Sequence, residues 1–271
     1  MKLLALALVG ITLISVPEEI ELGKEANAKV RRELPQLHDA PLSSYVASVG
    51  ARLARSARGP KYPYSFSIAD YREINAFALP GGPIWIKRGV LSAATNESQV
   101  AGVLAHEIAH VAERHAAAQV TQGALTSWGL GLLGAMLGNI GGADTARTAA
   151  GAMANTMFLK FSRDDEREAD RVGLQILTRA GWDARGMVEL FEVLRREQKR
   201  DPSAVETFFS THPSPQERIE QLQAEARRHS GGRRDSGAFQ DAKRRSLALA
   251  PPHKMTVGTS NGQRPTPKRL N

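Results

Sequence analysis

Two histidines four residues apart, the first followed directly by a glutamate, stand at His106-Glu107-Ile108-Ala109-His110. On a helix the two imidazoles lie one turn apart on the same face, so both can reach one tetrahedral metal ion about 2 Å from each nitrogen. Glu107 is then placed to take a proton from an attacking water rather than to bind the metal itself. The chemistry that this trio implies is metal-assisted hydrolysis. The flanking Leu104, Ala105, Ile108, Ala109 and Val111 are uncharged, and a pair of histidines buried in such a setting needs a reason to be there.

A catalytic site of this kind needs a third protein ligand and an open fourth position. A histidine ten residues after His106 would supply it in one large class, but position 116 is alanine and Glu113 stands where that class has glycine. That class is excluded. His115, five residues beyond His110, is turned roughly 140° around a continuous helix and reads as an ordinary helix-surface histidine. The remaining source is the acidic run Asp164-Asp165-Glu166-Arg167-Glu168-Ala169-Asp170. Glu166 and Asp170 share one helical face and Glu168 points nearly opposite, so one carboxylate could bind metal while another orients a ligand histidine. Spacing alone leaves this pair and the pair Asp164 with Glu168 both open.

These residues need a core to position them. The 271 residues, 42% of them hydrophobic, suffice for one substantial domain plus tails. The absence of cysteine excludes disulfides, thiol catalysis and thiolate-bound metal. The net charge of +8 is concentrated at one end: residues 231–271 carry nine Lys or Arg against two Asp, a net of +7. The rest of the chain is close to neutral, and no nucleic-acid partner is expected. Met1-Lys2 and the apolar stretch Leu3 to Ile14 have the pattern of a signal peptide, assigned to residues 1–16, although no small-x-small triplet precedes Val16.

Helical periodicity covers Glu18 to Arg32 and Leu42 to Ser56. Strand patterns cover Tyr64 to Ile68, Asn75 to Leu79 and Ile84 to Lys87, the last two separated by the turn Pro80-Gly81-Gly82-Pro83. Asn96 caps a central helix that nothing interrupts before about Val120. The Gly- and Ala-rich residues 123–158 read as a packed helical hairpin or a flap. Ser162 opens the acidic helix, which Gly181 closes; another helix runs from about Ala184 to Lys199. Ser214-Pro215 starts the next, with His212 just before it. Phe239 to Leu249 adds one short helix, and residues 250–271 form a basic tail, disordered from Pro251 onward.

Four segments together resemble a known family. They are Asn75-Ala76-Phe77-Ala78-Leu79-Pro80-Gly81-Gly82, His106 to His110, Ser162-Arg163-x-x-Glu166-x-Glu168-Ala169-Asp170, and Thr211-His212-Pro213-Ser214 with Arg218. In this order, over roughly Glu18 to Leu249, they resemble the zinc metallopeptidase family that includes the CAAX prenyl proteases, the heat-shock membrane protease HtpX and the periplasmic beta-barrel assembly-enhancing protease. The resemblance implies an α+β, mainly helical, zincin-like domain over residues 17–249, with a small antiparallel sheet and the His-Glu-x-x-His helix at its centre. It implies one zinc ion per chain on His106, His110 and Glu166, with Asp170 as partner to a ligand histidine. His212 and Arg218 are then expected near the oxyanion.

With no room for several membrane spans, the chain is more similar to the exported branch of that family, in the periplasm or secreted. With no room for tetratricopeptide repeats, roles tied to such repeats do not transfer. The expected activity is hydrolysis of unfolded or misfolded polypeptides, bound as an added strand along Asn75, Ala76, Phe77 and Ala78 or along Ile84 to Lys87. Two other classes compete: a latent, chaperone-like zinc protein in which His212 closes the open coordination position, and a binder of anions or membrane surfaces acting through the basic tail.

Overall fold

The computed structural model describes residues 12–122, 161–213, 216–229, 231–255 and 268–269. The apolar start of the leader, the segment 123–158, Ser214-Pro215 and residues 256–267 of the tail lie outside the described residues.

Three strands form the sheet: β1 (Ser65–Ala69), β2 (Ala76–Ala78) and β3 (Pro83–Lys87), in the order β1-β3-β2. The turn between β2 and β3 makes them antiparallel as expected, with Phe77 opposite Trp85. Gly81 and Gly82 take φ of 70° and 122° there, values that glycine adopts without strain. β1, however, pairs parallel with β3, so the sheet is mixed where an antiparallel one was expected. The reason lies in β3, which is buried along its whole length. The run Ile84-Trp85-Ile86 is continuously apolar because both faces are covered, the pattern of a central strand.

The two faces of β3 feed separate cores. Ile84 and Ile86 join the main core with α2 (Ala40–Ala54), while Trp85 joins Phe77, Leu79 and Tyr71 under Val30 of α1 (Val16–Glu33). After the short α3 (Arg88–Ala93), which periodicity did not reveal, comes α4 (Glu97–Ala112). Every residue of α4 is buried, as a helix in the middle of a domain must be. Asn96 caps it by accepting from Gln99 N–H at 3.2 Å, and Arg234 O and Asp235 Oδ1 take two further N–H groups from the far end of the chain.

α4 ends eight residues earlier than expected. Glu113 caps it and Arg114 adopts φ of 61°, a left-handed conformation that costs a non-glycine residue roughly 1–2 kcal/mol. The side chain of Arg114 holds the turn: it donates to Glu19 Oε2 at 3.0 Å, Thr12 Oγ1 at 2.8 Å and Ile14 O at 2.5 Å. Helix resumes over residues 115–122.

α5 (Arg163–Arg179) and α6 (Arg185–Arg200) pack against α4. Glycine permits the approach: a Cβ on Gly173 would sit 3.1 Å from His106 Cα. A short α7 (Glu206–Thr211), also unanticipated, and α8 (Gln216–Ala226) bracket His212. α9 (Gly237–Ala248) lies on α2 and α3, where Arg245 Nε reaches Asp39 Oδ1 at 2.7 Å. The first residues of the tail expected to be disordered from Pro251 make contacts with the domain. β4 (His253–Lys254) pairs with β5 (Lys268–Arg269), Met255 N–H donates to Glu73 at 2.9 Å, and Met255 Sδ accepts from the fully buried Lys87 at 2.9 Å. Apolar burial of Tyr71 and Trp85 beside this stretch gives the segment something to pack on.

Candidate metal centre

α4 presents His106 and His110 toward α5, and α5 presents Glu166 and Asp170 back. Local chemistry sets the register of α5: Ser162 Oγ accepts from Asp165 N–H at 3.1 Å while Asp165 Oδ2 accepts from Ser162 N–H at 2.9 Å. This reciprocal cap fixes the helix start one residue before Arg163 and puts Glu166 in the first turn. Glu168 is turned away, with its side chain 44% exposed.

The atoms that could hold a metal converge. His106 Nε2 and His110 Nε2 are 3.0 Å apart, and Glu166 offers Oε2 at 3.5 Å from the first and Oε1 at 3.5 Å from the second. A tetrahedral ion bound at about 2.0–2.2 Å requires ligand atoms about 3.3–3.6 Å apart. The donor set fits. His212 adds a fourth candidate, its Nδ1 2.9 Å from Glu166 Oε1, and one ligand atom from each of the four residues lies within 4.8 Å of the others. Glu166 Oε2 and Glu107 Oε2 are buried without a hydrogen-bond partner, although Arg218 Nη1 comes to 2.7 Å of the former outside bonding geometry. Buried orphaned carboxylate oxygens of this kind call for a cation or water.

Around this cluster the remaining residues are arranged in support. His106 Nδ1 faces Asp170 Oδ1 at 3.2 Å. Arg218, itself 2% exposed, donates to Asp170 through Nε at 2.5 Å and Nη2 at 2.9 Å and to Pro213 O through Nη1 at 2.6 Å. All three of its nitrogens are thus committed behind Glu166 and Asp170. Three of its five N–H donors are spent on these bonds, which places Arg218 in support of the two carboxylates; the part at the oxyanion that the resemblance implies would fall to the remaining two. His212 keeps its place at the site: it caps the C-terminus of α7, and its Nε2 lies 3.6 Å from Glu107 Oε1.

Burial pushes the Glu107 carboxyl up, against the opposing pull of His212 and His106 beside it. Burial works in the same sense on Glu166, but there His212 and His106 dominate and hold the carboxylate well below the usual range. Asp170 is likewise lowered, by its bonds to His106 and Arg218 acting against burial. Burial opposes charge on both ligand histidines. For His106 the bonds to Asp170 and Glu166 outweigh it and raise the imidazolium to about 10; His110, facing the charge of His106, is lowered well below 6.5. The contacts with Asp170 and Glu166 thus favour a proton on His106 in the metal-free centre. The sign follows: metal must displace that proton, so apparent metal affinity rises with pH toward about 10, and uptake at pH 7 releases about one proton. Calorimetric titration in two buffers of different ionisation heat measures it; an uptake that leaves the buffer heat unchanged contradicts the assignment.

Two neighbours escaped the sequence reading. Phe161 stacks on His110 with ring centroids 3.9 Å apart, and its only signal was an apolar side chain just ahead of the Ser162 cap. His115, read as a surface residue, is 3% exposed and places its Nδ1 2.9 Å from His110 Nδ1. The Arg114 turn brings it there, and no glycine or proline announced that turn.

The predicted substrate strand borders the same centre. β3 takes up Asn75 O and Leu79 N–H at 2.8 Å each, which by the two-residue period turns the backbone of Ala76 and Ala78 outward. Ala76 N–H is held by Asn75 Oδ1 at 2.9 Å, and Ala78 N–H bonds the Glu107 carboxylate. β2 is an edge strand among the described residues, while β3, the alternative, is enclosed between β1 and β2.

A buried His-Glu-x-x-His helix crossed by an acidic helix, beside an edge strand, defines a metallopeptidase. The chain belongs to peptidase family M48, whose profile matches residues 42–226. It is 33% identical over 247 residues to the beta-barrel assembly-enhancing protease of Escherichia coli (strain K12), covering 87% of this chain and 50% of that protein. It is 34% identical over 221 residues to the putative beta-barrel assembly-enhancing protease of Vibrio cholerae, covering 80% and 46%. The mitochondrial metalloendopeptidase OMA1 of Schizosaccharomyces pombe is 29% identical over 216 residues, covering 78% and 61%. The chain spans about half the length of the assembly-enhancing proteases it matches. Among the described residues no helix is long and apolar enough to cross a membrane.

Proposed function

We propose that the chain is a zinc-dependent endopeptidase acting on unfolded or misassembled exported proteins, in the periplasm or outside the cell. The observation that carries this reading is the convergence of buried ligand atoms from His106, His110 and Glu166, within 4.8 Å of one another, with Glu107 buried beside them. Histidine nitrogen with one carboxylate is a donor set suited to zinc. The names of the assembly-enhancing relatives support a role in envelope quality control.

When bound, zinc supplies Lewis acidity, making a water acidic near neutral pH and polarising a carbonyl. His106, His110 and Glu166 hold it; Asp170 orients His106, and Arg218 braces Asp170 from behind with a two-pronged bond. Glu107, buried beside these residues, takes the proton of the attacking water and delivers it to the leaving amine. His212 faces the oxyanion side as a donor. The peptide adds to β2 as an extended strand through the outward carbonyls of Ala76 and Ala78, whose N–H groups Asn75 and Glu107 already take, and such backbone pairing demands no sequence. Asn75, whose buried Nδ2 lacks a partner, gives a further donor at the start of that strand.

Casein hydrolysis on the full chain tests the proposal. Activity is expected to disappear with a chelator and to return with zinc; hydrolysis that persists in the stripped protein contradicts it.

A second reading is favoured by one contact, His212 Nδ1 lying 2.9 Å from Glu166 within the four-residue cluster. His212 as a fourth ligand would make a latent, gated centre. The two roles predict opposite results for His212→Ala: a loss of kcat of roughly 10²–10³-fold for an oxyanion donor, or raised basal hydrolysis for a latch. Stopped-assay kinetics on casein separate them.

A further inference from the structure

We propose that His115 is a positioning residue for the metal centre, accepting the Nδ1–H of His110 and so fixing which ring nitrogen His110 offers to the ion. This rests on the zinc reading and adds to it a partner for the second ligand histidine. His106 has its own partner, Asp170, 3.2 Å from Nδ1. His110 has no carboxylate at Nδ1. In its place stands His115 Nδ1 at 2.9 Å, in a pair that is buried on both sides.

The chemistry constrains the arrangement. A neutral imidazole that gives Nε2 to a metal carries its proton on Nδ1 and needs an acceptor there. His110 Nε2 is the atom beside His106 Nε2 and Glu166, so His110 Nδ1 must donate. His115 Nδ1 accepts only if His115 carries its own proton on Nε2, and acids wait on that side: Glu168 Oε2 at 3.5 Å and Asp165 Oδ1 at 4.0 Å. The residues left over from the acidic run thus gain a place, as the outer end of a His110–His115–Glu168 series.

Chain direction makes this possible. On a continuous α4, His115 would point roughly 140° away from His110. The left-handed Arg114 breaks the helix and swings His115 back, and Arg114 is held by Glu19, Thr12 and Ile14.

Zinc affinity of the full chain, measured by competition with a chromophoric chelator, tests the proposal alongside the visible spectrum of the cobalt-substituted protein. His115→Ala is expected to weaken zinc by about 10–100-fold and to shift the cobalt bands. His115→Asn, whose Oδ1 can stand where Nδ1 stood, is expected to recover most of the affinity. Should His115→Ala fold poorly, the turn supplies a second pair: Arg114→Gly keeps the left-handed turn accessible and binds zinc more tightly than Arg114→Val, which disfavours it. Wild-type affinity in folded His115→Ala, equal weakness of the Ala and Asn variants, or equal affinity of the two Arg114 variants would each overturn the proposal. Failure of the wild-type chain to bind zinc would instead remove the metallopeptidase reading on which it rests.

Discussion

Glu107→Gln, loaded with zinc, is expected to keep the metal content of the wild-type chain and to lose casein hydrolysis by roughly 10²–10⁴-fold. The amide has the size of the carboxylate, so the packing of a residue 1% exposed is preserved. Ala78 N–H can still donate to the remaining carbonyl oxygen, and the edge strand stays where it is. What disappears is an atom that can receive a proton and pass it on. None of the three proposed ligands is touched, and zinc binding should be unchanged or slightly tighter. Metal analysis and single-turnover hydrolysis on the same preparation check both halves. Retained turnover with zinc bound would refute Glu107 as the base, and lost zinc would place it among the ligands.

Arg218→Leu is expected to act mainly on stability. Asp170 and Glu166 are both buried, and Arg218 is the cation they share, at 2.5–2.9 Å. Its removal leaves two carboxylates in the interior, with the charge on His106 as partial compensation. Breaking a buried ion pair from one side typically costs about 3–5 kcal/mol. Denaturant unfolding of the metal-free chain should show that loss, and zinc should restore part of it by binding only the folded form. Had Arg218 faced the oxyanion, unfolding would be nearly unchanged and kcat alone would fall. Comparing the unfolding midpoint with kcat therefore separates support from catalysis. Arg218→Lys should recover little, since a single ammonium cannot reproduce the two-pronged bond to Asp170.

The site divides sharply into what local pattern could express and what it could not. His106 and His110 were legible because helical period alone places them together, and Glu107 because it is adjacent. The Asn96 and Ser162 caps were legible for the same reason: each is completed within three residues. For the acidic run, period narrowed the choice to faces, Glu166 with Asp170 or Asp164 with Glu168. The choice between them belonged to the α4–α5 contact, which Gly173 allows to be close.

Other features depend on contacts between residues far apart in the chain. The mixed sheet arises because β3 enters between β1 and β2, a matter of which edge each strand finds. Arg218 lies 48 residues beyond Asp170 and was placed near the site by resemblance, but its hydrogen bonds put it behind the carboxylates. At the start of the basic tail His253 and Met255 meet Tyr71, Glu73 and Lys87, partners that composition cannot register.

By itself, then, the sequence determined the proposed ligand pair, the proposed base and the caps, because each is written in spacings of one to four residues, while the fold class came with the four motifs of the family resemblance. Tertiary structure alone decided the position of Arg218 and the return of His115 to His110. Both turn on long-range partners: a guanidinium that goes to the buried carboxylates nearest it, and a left-handed Arg114 held in a strained backbone conformation by Glu19 and the residues before it.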